Sequence, residues 1–111
     1  MPAHTSEIKF HIGLDENKVP ERIEWSASDG GINHAAAKGM LISVWDKKDG
    51  DTLKIDLWTK ELLADEMKQM VHQTMLGLAD TLERATGETE AANGMREFAL
   101  DLGHRLQILK K

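Results

Sequence analysis

The feature that most constrains this chain is a change of hydrophobic period near residue 64. Before it, apolar residues recur every second position; after it, they recur every third or fourth. A period of two fits a half-buried strand and a period near 3.6 fits an amphipathic helix, so strands come first and helices follow. Ile8, Phe10, Ile12 and Leu14 alternate with Glu7, Lys9, His11 and Gly13. Asp15 to Lys18 supplies turn-forming residues, and extended structure resumes from Val19 to Ala27. With Glu16 and Asn17 at the turn, Phe10 is expected opposite Ile23, and Ile8 opposite Trp25. Pro20 lacks a backbone donor, which points to an edge or a bulge near the start of that second strand.

Ser28-Asp29-Gly30-Gly31 breaks the pattern. A short helical turn is expected from Asn33 to Lys38, with Asn33 as its cap and an alanine run behind it. Met40–Trp45 and Thr52–Thr59 then flank the turn signal Asp46 to Asp51. Pairing Val44 with Leu53, Ile42 with Ile55 and Met40 with Leu57 puts three apolar pairs on one face. Leu41, Trp45 and Trp58 fall on the other, and a slip of one residue would invert both faces.

From Ala64 the helical stripe is Met67, Met70, Val71, Met75, Leu78 and Leu82, ending at Gly87. A second stripe runs through Ala91, Met95, Phe98, Leu102, Leu106 and Leu109. The expected fold is α+β: a four-stranded antiparallel sheet of two hairpins, followed by two C-terminal helices packed on one face. Strands occupy roughly residues 6–59 and helices roughly 64–109 of a single domain, the usual count for 111 residues.

Composition excludes several functions. With no cysteine there are no disulfides, thiolate zinc sites or lipid-modified cysteine. Nineteen acids against fourteen Lys and Arg give a formal net charge of −5, and no long basic run provides a nucleic-acid face. The amino terminus lacks the pattern of a signal peptide, and no stretch approaches the ~20 apolar residues of a bilayer span. A cytoplasmic protein that does not insert in membranes is expected.

No catalytic constellation emerges. His4, His11, His34, His72 and His104 fall in different elements without metal-ligand spacing, and read as solvated surface histidines. No nucleophile elbow, phosphate loop or calcium loop occurs. Asp49/Asp51, Asp65/Glu66 and Glu88/Glu90 are explained by turns and first helical turns, and Asp80 and Arg84 by an i,i+4 ion pair. Catalytic, metal and cofactor-binding residues are therefore expected to be none, and the chain reads as an interaction module, not an enzyme. What stands out is three Trp among five aromatics. Trp25 is expected in the core, whereas Trp45 and Trp58, with Leu41 beside them, form the candidate protein-interaction face.

The segments Leu14–Glu21 (LDENKVPE), Ser43–Asp46 (SVWD), Ile55–Met75 and Leu78–Glu88 (LADTLERATGE) carry a longer signal. In order and spacing they resemble the GldC family of gliding motility-associated proteins, over almost the whole chain. The resemblance implies a small soluble protein associated with bacterial gliding, and carries no catalytic residue or cofactor. The expectation is a cytoplasmic accessory of gliding or surface motility, acting through protein partners of the motility or envelope machinery. A small acidic chaperone or adaptor for a secreted or envelope client is the alternative. Self-association is compatible with both.

Overall fold

A computed structural model describes residues 2–109. The architecture is α+β, in the order β1 (Ile8–Leu14), β2 (Pro20–Ala27), β3 (Ile32–Ala37), β4 (Gly39–Trp45), β5 (Thr52–Trp58), α1 (Ala64–Thr86) and α2 (Thr89–Arg105). Five strands in two sheets, ordered β1-β2-β3 and β4-β5, replace the expected four-stranded sheet. The chain divides at Leu62/Leu63 into a strand unit and a helical unit.

The extra strand is the segment expected to be a helical turn. Six residues are too few to offset helix nucleation, so the alanines' helix propensity is overridden by pairing with β2. Their small size is what the sheet uses. Ala35 stands opposite Trp25, and Ala37 opposite Ile23. Gly31 enters β3 at φ +68°, and His34 is held at φ +51° beside a bulge, its N–H donating to Ser26 Oγ at 3.0 Å.

The β1–β2 register differs from expectation by two residues, which preserves the face. Phe10 pairs with Trp25, their rings stacked at 6.3 Å, and Ile12 pairs with Ile23. Two local causes add up. The loop holds three residues, because Asp15 Oδ1 accepts from Asn17 N and Val19 N while Lys18 adopts φ +62°. Glu21 then bulges, leaving Pro20 opposite Leu14. The bulge beside Pro20 is as expected, and although β2 is the central strand of its sheet, its first residues form an edge. Pro20 is tolerated because β3 pairs only from Ile23 onward.

β3 and β4 are nearly one strand, interrupted by a bend at Lys38. The Thr59 N–H donates to the Lys38 carbonyl at 2.8 Å, pinning the end of β5 to this corner. The β4–β5 register is the expected one: Met40 with Leu57, Ile42 with Ile55, Val44 with Leu53. Burial concentrates near the corner. Ile23 is 1% exposed, and Met40 and Thr59 are buried with it.

In the helical unit, Glu66 Oε1 accepts from the Leu63 N–H at 2.9 Å and starts α1. Gly87 ends it at φ +75°, where the left-handed conformation favours glycine. The contact between the helices is a surprise. Its buried residues are His72, Ala79, Ala92, Ala99 and Gly103, whereas the large apolar stripes are only partly covered. Backbones approach closest where side chains are smallest, which leaves Leu78 and Phe98 more than half exposed. His72, expected on the surface, is buried. A Cβ on Gly103 would stand 3.1 Å from His72 Nε2 and overlap Leu109. Asp80 pairs not with Arg84 but with Arg96 at 2.9 Å, and Arg96 also reaches Glu83 Oε1 at 2.7 Å.

Two predictions follow from the helix contact. Ala99→Leu overpacks it and should cost about 1–3 kcal/mol in urea unfolding. The Glu83 carboxyl is held below its ordinary value, first by the hydrogen bond from Arg96, then by Thr89 and the Arg96 charge. A carboxyl lowered in the folded state stabilises it above the unfolded pKa, and this is lost as pH falls through the folded value. Wild type should melt above Arg96→Ala at neutral pH, the gap narrowing below about pH 4.

Candidate interaction surface

The β4–β5 hairpin is shaped by its turn. The Asp46 N–H donates to the Asp51 carbonyl at 2.7 Å, and Gly50 N to the Asp46 carbonyl at 3.0 Å. The Asp46 carboxylate accepts from Asp49 N at 2.8 Å, and Gly50 takes φ +62°. These three hydrogen bonds fix the register, and the register decides which side chains share a face.

On the outer face lie Leu41 opposite Asp56, Trp45 opposite Thr52, and Trp58 opposite Gly39. All three sequence-expected residues are exposed: Trp45 70%, Trp58 52% and Leu41 36%. They do not form one spot. Six residues separate Gly39 from Trp45, so the tryptophans stand about 20 Å apart at opposite ends of the face. Leu41 lies diagonally beside Trp58. Between the ends, Lys54 pairs with Asp56 at 3.1 Å, so the centre of the face is polar.

A second apolar surface was missed by sequence reasoning. Val44, Leu53 and Ile55 lie on the expected apolar face of the hairpin, yet in its distal half each is more than half exposed. Only the proximal residues Met40, Ile42 and Leu57 are covered. Apolar alternation fixed the face correctly but carries no information about where coverage stops. The hairpin tip therefore presents apolar side chains on both faces: Trp45 on one, Val44 and Leu53 on the other.

The polar face of the three-stranded sheet brings His11 and His34 edge to face at 5.9 Å, both exposed, in an open groove with Lys9 and Ser26. His4 lies elsewhere, 3.2 Å from Asp29, whose carboxyl is lowered first by the Ser6 hydroxyl and then by His4. His104 is exposed on α2. Among the described residues no three His, Asp or Glu side chains are grouped to hold a metal ion. Among the same residues no helix is long and apolar enough to cross a membrane.

The exposure pattern separates surface from core in a measurable way. Trp45→Ala should change unfolding free energy by no more than about 0.5 kcal/mol. Ile23→Ala, at the buried centre of β2, should cost about 2–5 kcal/mol in the same titration.

No curated protein and no solved structure matches the chain. The family model described as gliding motility-associated protein GldC-like matches residues 20–108, from β2 to beyond the end of α2. With most of its strands and both helices inside that match, the chain belongs to the GldC-like family of gliding motility-associated proteins.

Proposed function

We propose that this protein is a non-enzymatic cytoplasmic accessory of bacterial gliding or surface motility. It works by holding another protein of the motility or envelope machinery, and the β4–β5 hairpin is its docking element. The observation that carries this reading is Trp45, 70% exposed at the tip of an ordered strand. Tryptophan offers a large, rigid contact area at low entropic cost, and interface anchors are enriched in it. Here it stands over a turn closed by its own hydrogen bonds, so the anchor is held in place before a partner arrives. Val44 and Leu53 on the opposite side give the partner a second apolar edge to close around.

The family supplies the process, gliding motility, and the hairpin supplies the contact chemistry. A partner suited to it would bring an apolar cleft with polar margins, since Lys54 and Asp56 occupy the middle of the outer face. The net charge of −5 favours a partner with basic flanks.

The test uses a gliding bacterium whose own family member is deleted and replaced by this chain. Wild type should restore movement and retain motility or envelope proteins on affinity capture. Trp45→Ala with Trp58→Ala should lose both while keeping the wild-type circular dichroism and melting temperature. Equal movement and equal capture by the double variant would overturn the docking role. Normal movement of the deletion strain itself would overturn the motility role.

A further inference from the structure

We propose that the apolar face of the α1–α2 hairpin is the docking site of a second copy of this chain, two hairpins closing into a four-helix bundle. This is independent of the β4–β5 reading and uses a different surface.

The two helices each carry two apolar seams. One is the small-residue seam that joins them, with Ala79 on α1 and Ala92 and Ala99 on α2. The other is Val71, Met75, Leu78 and Leu82 on α1, matched by Ala91, Met95, Phe98 and Leu102 on α2. Both sets step by four, three and four residues, the seam spacing of packed helices in bundles. At about 3.6 residues per turn, each second seam is rotated from its small-residue seam by a similar angle and in the same sense. The helices are antiparallel, so equal rotation puts both second seams on the same side of the hairpin. That side is exposed: Leu78 is 55% and Phe98 57% accessible, in the middle of their helices.

The face is also built without net charge. On α1, Val71, Thr74, Met75, Leu78, Thr81 and Leu82 occupy one sector with no charged residue, although 30% of the chain is charged. On α2, Arg105 continues the seam at its C-terminal end, and Asp101 at the rim pairs with that guanidinium at 2.7 Å. Nothing on this face repels an identical face. Gly94 gives a second indication. A Cβ there would meet nothing within 4 Å. Glycine is the poorest helix former after proline, and among the described residues no contact calls for it. At a bundle interface the missing side chain admits a second backbone beside Phe98.

Size fits a dimer. A helix the length of α2 is about 25 Å long, and two helices side by side are about 20 Å wide, a flat footprint of about 500 Å². Side-chain relief brings this near the ~800 Å² that each partner contributes to a stable interface. A two-fold axis through the face sets Leu78 and Phe98 of one copy against the same pair of the other, as an isologous contact requires.

Light scattering of the full chain over a concentration series tests this. The expected mass is twice 12.4 kDa, falling toward 12.4 kDa on dilution. Leu78→Glu with Phe98→Glu should be monomeric at every concentration, while Trp45→Ala with Trp58→Ala stays dimeric. Because the charged variant could fail by unfolding, cross-linking provides an independent reading. The chain has no cysteine, so Phe98→Cys alone should couple two copies through a short bismaleimide, and Gln73→Cys on the far side of α1 should not. A mass of 12.4 kDa at the highest concentration reached would overturn the proposal. A dimer that survives the double substitution, or that couples through Gln73→Cys and not Phe98→Cys, would overturn it as well.

Discussion

The strand unit depends on one corner. Strict alternation would carry the inward face from Ala37 to Gly39 and turn Met40 outward. The bend at Lys38 inverts the alternation, so Ala37 shares a face with Ile23 while Met40 is also buried. Thr59 secures the inversion by donating both its N–H and its hydroxyl to the Lys38 carbonyl. A strand that changes sheets at a bend is how two small sheets share one interior. The same bend sets which hairpin residues face outward, and so puts Leu41, Trp45 and Trp58 together on the outer face.

The helical unit solves a different packing problem. Its two helices are joined through alanine and glycine, which brings the backbones close and leaves the bulky side chains at the flank. His72 enters this contact where Gly103 leaves room, and the turn after α2 folds Leu109 back over the same glycine. Arg96 reaches across to Asp80 and Glu83 and ties the hairpin near its closed end. Close packing of small residues and one shared guanidinium hold the pair, with the larger hydrophobes left over for another surface.

Much of this was legible in the sequence, and the failures have definite causes. The β4–β5 register was readable because three apolar pairs and one turn admit a single alignment. The β1–β2 register was not, because a three-residue loop and a bulge at Glu21 each displace the pairing by one. β3 was hidden by its alanines, whose helix propensity is a weak prior that a neighbouring strand overrides. The helix seam was hidden for a related reason: attention to Leu, Met and Phe overlooks the buried pairs seven apart, His72 and Ala79 on α1 and Ala92 and Ala99 on α2. The outer-face residues Leu41, Trp45 and Trp58 were identifiable from parity alone. Their separation into two ends, and the exposure of Val44 and Leu53, depend on where the second sheet stops covering the first.

Among the described residues, each strand ladder and the helix pair join neighbours in the chain: β1 to β2, β2 to β3, β4 to β5 and α1 to α2. The connections are tight, down to the two residues Gly87 and Glu88 between the helices. Closing short loops costs little entropy, and contacts between sequence neighbours form early and fast. Each hairpin can therefore be completed soon after its second arm leaves the ribosome. That order shortens the time during which the bare strands of a chain with so much apolar surface are open to aggregation.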